Sequence, residues 1–300
     1  MNSRPATGTA KIHRVVRPVD GIVTEREETV PDNPGEDASA IVKAPSDHPV
    51  GGETFRPFPR VVAVIPALDE ARSIARVVET LREQRSVALH QVIVVDNGSE
   101  DGTGEIARQA GAHVVREERR GYGYACLAGV FAADEADAIV LLDGDAADDP
   151  GDLSRILQPL LAGEADLVVG SRTLGSREPG SMTPQQVLGN RLAAFLIRLL
   201  YGVKVSDLGS FRAIRRDDLL ALEMREMTYG WPVEMMVKAI RAGYRYREVP
   251  VRHRRRIGAS KVGGTFRGSL KAGWHIISTV LRYSRWAPRK HDERPSKVTR

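Results

Sequence analysis

Two aspartates one residue apart, Asp143 and Asp145, follow directly on the apolar run Ala138–Leu142. Side chains two apart on an extended chain point the same way, so both carboxylates can face one cation. Hard carboxylate oxygens suit Mg2+ or Mn2+, ions that commonly also hold substrate phosphates. The run before them is short and rich in branched residues, as in a strand buried on both faces. The carboxylates then stand at the strand's carboxyl end, where open α/β sheets bind ligands. The plainer alternative is an acidic turn that caps the next helix, since Asp148-Asp149-Pro150 follows at once.

Three further polar segments end apolar runs in the same manner. Pro66-Ala67-Leu68-Asp69-Glu70 follows Val61–Ile65, and Asp96-Asn97-Gly98-Ser99-Glu100-Asp101-Gly102-Thr103 follows Gln91–Val95. Ser171 and Arg172 follow Asp166–Gly170. Each alone could be an ordinary turn or cap. Together they set acids, amides and an arginine on one rim. Acids near the first two strands can accept hydrogen bonds from ribose hydroxyls and a base N–H. Acids after Leu142 can hold a cation against a diphosphate.

The elements between these loops position them. Helices are predicted from Asp69 to about Arg85, with Ile74, Val77, Val78 and Leu81 on one face, and then over 101–110, 121–133 and 150–161. A short strand is expected over 112–116. Strands alternating with such helices mean an α/β unit with a doubly wound, mostly parallel sheet flanked by helices. The first strand is not followed by Gly-x-Gly-x-x-Gly, and no Gly-x-x-x-x-Gly-Lys-Ser/Thr occurs, which disfavours a dinucleotide fold and excludes a P-loop NTPase. The second half has fewer strands: helices over 185–200, 217–224 and 231–242, a polar-aromatic segment over 205–214, and a strand over 246–253. A last helix over 266–284 carries Leu270, Trp274, Ile277, Val280 and Leu281 beside Lys271, Arg282 and Arg285. That stripe could pack on the core or lie at a membrane interface.

Composition bounds the rest. The 300 residues are 42% hydrophobic, enough for a sizeable core, and the single cysteine, Cys126, rules out an intramolecular disulfide framework. Residues 1–59 hold eight of the 17 prolines with no sustained apolar period, and are expected to be a disordered extension. Residues 60–285 form the predicted domain and 286–300 a basic tail. From Arg241 onward there are 17 Lys and Arg against 3 Asp and Glu, a local balance of +14 within a chain of net charge +5. Such a stretch suits phosphates, anionic membranes or nucleic acid. The acidic rim counts against nucleic acid. No run reaches the about 18 apolar residues of a membrane span, and no secretory leader is evident. The expected location is the cytoplasm, with the inner face of the plasma membrane as an alternative.

The series Val-Ile-Pro-Ala-Leu-Asp-Glu, Val-Val-Asp-Asn-Gly-Ser-Glu-Asp-Gly-Thr, Leu-Leu-Asp-Gly-Asp and Gly-Ser-Arg resembles family 2 glycosyltransferases of the GT-A fold. Ser206-Asp207-Leu208-Gly209-Ser210-Phe211-Arg212 and Arg255-Arg256-Ile257-Gly258-Ala259-Ser260-Lys261 resemble stretches of their dolichol-phosphate mannose synthase and polyprenyl-phosphate glycosyltransferase branch. The likeness runs from about Arg60 to Arg285. It implies that Pro66, Ala67, Leu68 and Glu70 line the nucleoside pocket and that Asp96 binds the base. Asp143 and Gly144 would lie along the diphosphate, with Asp145 the direct metal ligand, supported by Asp143. Arg172, Arg255 and Lys261 would neutralise donor or acceptor phosphates.

Two positions depart from the branch: Ala147 stands where a Gln or Ser often helps with the metal, and Gly209 precedes Ser210 rather than following it. The resemblance implies metal-dependent, inverting transfer of a hexose from a nucleotide-diphospho-sugar, of UDP-glucose or GDP-mannose type, to a polyprenyl or dolichyl phosphate. A sugar or other hydroxyl acceptor is the alternative. It needs a general base, for which Asp207 and Glu234 are the candidates. A sugar nucleotidyltransferase would be a different class on the same kind of sheet. No Gly-rich, Arg-containing loop follows the first strand to support it. His253 is read as a surface or neutral residue rather than a ligand, since no second His stands at metal spacing. The oligomeric state is not legible.

Overall fold

The computed structural model describes residues 10–15, 25–30, 59–85, 87, 89–258 and 275–287. The chain divides into two units, Met1–Phe55 and Arg56–Arg300. In the first, β1 (Ala10–Val15) and β2 (Glu25–Val30) pair antiparallel with Ala10 opposite Val30. This departs from the structureless extension expected there. Six-residue segments with few apolar residues offer little period to read, and pairing supplies what the local pattern lacks.

The second unit is built on seven described strands: β3 (Val61–Ala67), β4 (Leu89–Asp96), β5 (His113–Arg116), β6 (Ala138–Leu141), β7 (Leu167–Ser171), β8 (Arg212–Arg215) and β9 (Tyr246–Pro250). Their order across the sheet is β5-β4-β3-β6-β8-β7-β9. The pairs β3/β4, β3/β6, β4/β5 and β7/β9 are parallel, and β8 lies antiparallel between β6 and β7. The sheet is thus mixed, mostly parallel as expected, with one reversed strand inside the predicted polar-aromatic segment.

Strands buried on both faces carry side chains alternately to two cores. Val61, Ala63 and Ile65 face α1 (Ile74–Arg82) and α4 (Leu153–Leu161), whose Val77, Leu81, Ile156 and Leu160 are buried there. Val62 and Val64 face α3 (Tyr122–Ala132) and α7 (Trp231–Arg241) on the other side. Each such aliphatic side chain contributes about 1.5–3 kcal/mol on burial. Pro66 does not end β3, because β6 stops at Leu141 opposite Val64 and makes no demand for a donor beyond it.

The remaining helices are α2 (Thr103–Gln109), α5 (Pro184–Tyr201), α6 (Arg216–Ala221) and α8 (275–282). Asp69 does not cap α1. It has a positive φ of 49°, and α1 starts only at Ile74, after Ser73 and Ile74 donate to the Glu70 carbonyl. The end of α8 packs on the core through Val280, followed by Tyr283, while Leu270 and Trp274 lie outside the described residues.

Candidate active site

The carboxyl ends of β3, β4 and β6 place their loops on one rim, and the first two loops are bonded to each other. Asp69 N–H donates to Ser99 Oγ (3.0 Å), and Glu100 N–H returns a bond to Asp69 Oδ1 (2.9 Å). Glu70 N–H donates to Thr103 Oγ1 (2.8 Å) and Ala71 N–H to Asp101 Oδ2 (3.0 Å). Asn97 ties in the next loops: its amide donates to the Glu117 and Arg119 carbonyls, and its oxygen accepts from Gly121 N–H. Pro66 and Ala67 are buried at the end of β3, while Leu68, Glu70 and Asp96 are half-buried along the rim. Asp96 Oδ1 accepts from Ser99 N–H (2.8 Å), so the residue shapes its own loop.

The acidic centre follows β6. Asp145 is 4% exposed and Asp143 accepts from Tyr122 Oη–H (3.1 Å). Burial, then the neighbouring charges of Asp145 and Asp148, push the Asp143 carboxyl up to about 6. Burial would also raise Asp148, but His253 and Ser210 bond to it and hold it below the usual range. Asp143 and Asp145 offer the hard carboxylate oxygens that a divalent cation takes, while among the described residues no three such side chains are gathered as a ready-made metal site. A Cβ at Gly144 would meet Ile74 and Ile65 within 3.4 Å, so the residue packs closely on the core beneath the rim. The alternative reading of this stretch as a cap holds for Asp149 alone, whose carboxylate accepts from Gly151 N–H.

A basic segment runs antiparallel along this acidic stretch. Arg254 N–H donates to the Ala147 carbonyl (2.7 Å) and Ile257 N–H to the Asp145 carbonyl (3.0 Å). Its side chains alternate as on a strand. Arg252 pairs with Asp152 and Asp149, Arg254 with Asp149, and Arg256 with Asp145 at 2.8 Å. On the other side His253, 7% exposed, meets Asp148 (2.9 Å), and Arg255 reaches Glu178 and the Pro179 carbonyl. Gly258 ends the described part close to Glu70. Lys261 lies outside the described residues. One oxygen of Asp145 thus accepts from Ala147 N–H (2.9 Å) and the other from Arg256.

Both candidate general bases are closed off from solvent. Asp207 is fully buried and receives four donors: the Arg172 N–H, its Nε (2.8 Å) and Nη2 (2.6 Å), and the Leu208 N–H. Burial alone would lower the Arg172 pKa, but the Asp207 bonds raise it further above its ordinary value. Glu234 is also fully buried. It accepts from the Arg225 and Glu226 N–H groups and pairs with Lys238 Nζ at 2.7 Å. Neither carboxylate is open to a substrate hydroxyl. Asp207 orients Arg172, and Glu234 pins the start of α7 to the preceding loop.

Arg172 also borders a cavity of about 380 Å³ lined by Thr173, Gly175, Arg177, Met182, Val187, Asn190 and Arg191, with no carboxylate among its walls. The same guanidinium feels the charges of Asp148 and Asp143, so it links this cavity to the acidic centre. Sequence reasoning missed Arg177, Arg191, Arg256, Tyr122 and the His253–Asp148 pair. Only the basic run from Arg252 to Arg256 held a signal for any of them.

Residues 62–222 match the profile of Glycosyl transferase family 2. The chain belongs to that family. It is 36% identical over 224 residues to an uncharacterised glycosyltransferase of Mycobacterium tuberculosis, covering 73% of this chain and 98% of the relative. It is 30% identical over 240 residues to the undecaprenyl-phosphate mannosyltransferase of Micrococcus luteus (76% and 93% covered). To the polyprenol monophosphomannose synthase of Mycolicibacterium smegmatis it is 28% identical over 261 residues (82% and 94%). Among solved structures, glucosyl-3-phosphoglycerate synthase from Mycobacterium tuberculosis with Mn2+, uridine diphosphate and phosphoglyceric acid superposes with a TM-score of 0.63. It is 23% identical and the match covers 77% of this chain and 80% of the other. The fold is therefore the GT-A glycosyltransferase fold, and the family 2 chain is a glycosyltransferase.

Proposed function

We propose that this glycosyltransferase moves a hexose from a nucleotide-diphospho-sugar to a polyprenyl phosphate, inverting the anomeric centre. The observation that carries the reading is the arginine-lined cavity beside Asp207. Arg172, Arg177 and Arg191 offer cations to an anionic acceptor, while both acids that could have served a hydroxyl acceptor are buried and paired. A phosphate monoester is already anionic at neutral pH. Its oxygen can attack the anomeric carbon without a base as the bond to the departing diphosphate breaks. Two relatives, an undecaprenyl-phosphate mannosyltransferase and a polyprenol monophosphomannose synthase, support this acceptor class.

In this reading Pro66, Ala67, Leu68 and Glu70 form the nucleoside wall, with Asp96 at its edge toward the base. Asp145, with Asp143, would hold Mg2+ or Mn2+. Such an ion supplies electrostatic stabilisation for the charge that grows on the leaving diphosphate. Arg172 stands between the acidic centre and the cavity, where it can hold donor and acceptor phosphates at a common distance from the reacting carbon. Arg255 and Lys261 would supply further cations to the donor or acceptor phosphates.

Transfer assays with UDP-glucose and GDP-mannose against a short polyprenyl phosphate test the reading. The expected product is an alkali-stable, mild-acid-labile lipid. Asp145→Asn is expected to remove metal-dependent transfer with an unchanged circular dichroism spectrum. Arg177→Ala/Arg191→Ala is expected to raise the KM for the lipid phosphate at least tenfold and leave the donor KM unchanged. Label appearing only in sugar or protein hydroxyls would overturn the acceptor assignment.

A further inference from the structure

Helix α5 is unlike every other described helix in what it leaves uncovered. Its start is fixed by a capping box between Thr183 and Gln186 with Pro184 in the first turn, and its end by Gly202 in the left-handed region (φ 72°). Asn190, Ala193, Ala194 and Ile197 form its buried face. On the opposite face Leu188, Leu192, Phe195 and Leu199 are 69%, 43%, 60% and 67% exposed. Their spacings of four, three and four residues confine them to an arc of about 60° at 3.6 residues per turn. Large apolar side chains in one continuous stripe mark an interaction surface, whereas isolated ones do not.

The charges beside the stripe identify the partner. From Pro184 to Lys204 the chain contains Arg191, Arg198 and Lys204 and no Asp or Glu. Arg191 and Arg198 are exposed, seven residues apart, and fall on one flank of the stripe, as they must at about 100° per residue. An apolar face bordered by cations without acids matches a surface that is apolar within and anionic at its edge, which is a membrane leaflet. Val187, Asn190 and Arg191 of the same helix also line the arginine cavity, so the stripe is continuous with the proposed acceptor site.

We propose that α5 lies in the headgroup region of an anionic membrane with Leu188, Leu192, Phe195 and Leu199 inserted. This rests on the acceptor reading only for its purpose, since docking to lipid can be measured without any acceptor. It moves the membrane contact away from the last helix, which the sequence also allowed. No described helix is long and apolar enough to cross a membrane, so α5 would anchor the domain from one side.

The test is flotation of the full chain with phosphatidylcholine vesicles, with and without a quarter phosphatidylglycerol and free of polyprenyl phosphate. The chain is expected to float with the anionic vesicles and much less with the neutral ones. Leu192→Glu/Phe195→Glu is expected to lose at least nine-tenths of that binding while its melting temperature changes little, because both side chains are exposed on the uncovered face of the helix. Arg198→Gln is expected to weaken anionic binding several-fold. Flotation of the double variant equal to that of the parent chain would overturn the proposal. So would a parent chain that stays unbound, or one that is a dimer in solution and becomes monomeric on Leu192→Glu. If vesicles bind but polyprenyl phosphate is not glycosylated, the docking stands and the acceptor reading falls.

Discussion

At Asp145 two donors share the carboxylate, the Ala147 N–H and the Arg256 guanidinium. A cation arriving at that carboxylate has to take the place of the second. An ion pair with a half-exposed arginine is worth about 0.2–1 kcal/mol, so Arg256→Ala should tighten Mn2+ binding by up to about five-fold. Titration of free Mn2+ by electron paramagnetic resonance reads this directly, and unchanged affinity would show that Arg256 does not compete. Glu234 calls for the opposite expectation. Glu234→Gln leaves the buried Lys238 without its charge partner, which costs about 3–5 kcal/mol in comparable pairs. The denaturation midpoint should fall, while kcat per folded molecule should hold. A base would show the reverse. These two acids show what a sequence leaves hidden. The Asp143-x-Asp145 pair was legible because both acids follow directly on one buried apolar run. The role of Asp207 depends on Arg172, 35 residues before it, and nothing local announces that partner. Lys238 stands four residues after Glu234 on one helix, a spacing the sequence displays, but nothing local announces that the pair is buried.

Among the elements, β3, β4, β6 and β7 were readable because branched apolar runs buried on both faces look alike wherever they stand. Strand β8 was not. Its four residues, Arg-Ala-Ile-Arg, are too few and too mixed to show a period, and direction within a sheet is decided by neighbours rather than by the strand itself. The fully buried Arg212 is held instead by the Pro232 and Gly209 carbonyls, a tertiary arrangement. The loop after β7 depends on a close approach of the same kind. A Cβ on Gly175 would stand 2.0 Å from the Val251 carbonyl oxygen. Gly175→Ala must therefore push this loop away from the chain that leaves β9, carrying Arg177 with it. Its expected signature is a raised KM for the lipid phosphate with donor affinity little changed, measured beside a lowered melting temperature. Equal loss of donor and acceptor affinity would mean that the loop serves the whole site.

Across the molecule, Asp166 joins three strands at the edge away from the rim. It accepts from Arg245 at the start of β9 (2.9 and 2.8 Å from Nε and Nη2) and from Arg215 at the end of β8 (3.1 Å). The Arg245 hydrogen bonds hold its carboxyl well below the usual range. Because folding lowers this pKa, its stabilisation is complete above the unfolded value of about 3.9 and is lost as the pH falls toward the folded value. Asp166→Asn should destabilise the protein at pH 7 by about 2 kcal/mol, the scale of hydrogen bonds to charged groups. The difference from the parent should shrink in acid, as urea titrations at several pH values can follow. A constant difference would place the effect in packing.

The ladder of Arg252, Arg254 and Arg256 on Asp152, Asp149 and Asp145 has a consequence of another kind. Its rungs are 37% to 47% exposed on the arginine side, so ions in solution reach them. Added electrolyte shortens the Debye length to about 3 Å at 1 M and loosens exactly the contacts that stand in the cation's way. The same electrolyte weakens the pull of an anionic leaflet on Arg191 and Arg198. The ionic composition of its surroundings therefore acts on this enzyme with two opposed signs, freeing its acidic centre while releasing it from the surface where its acceptor would reside.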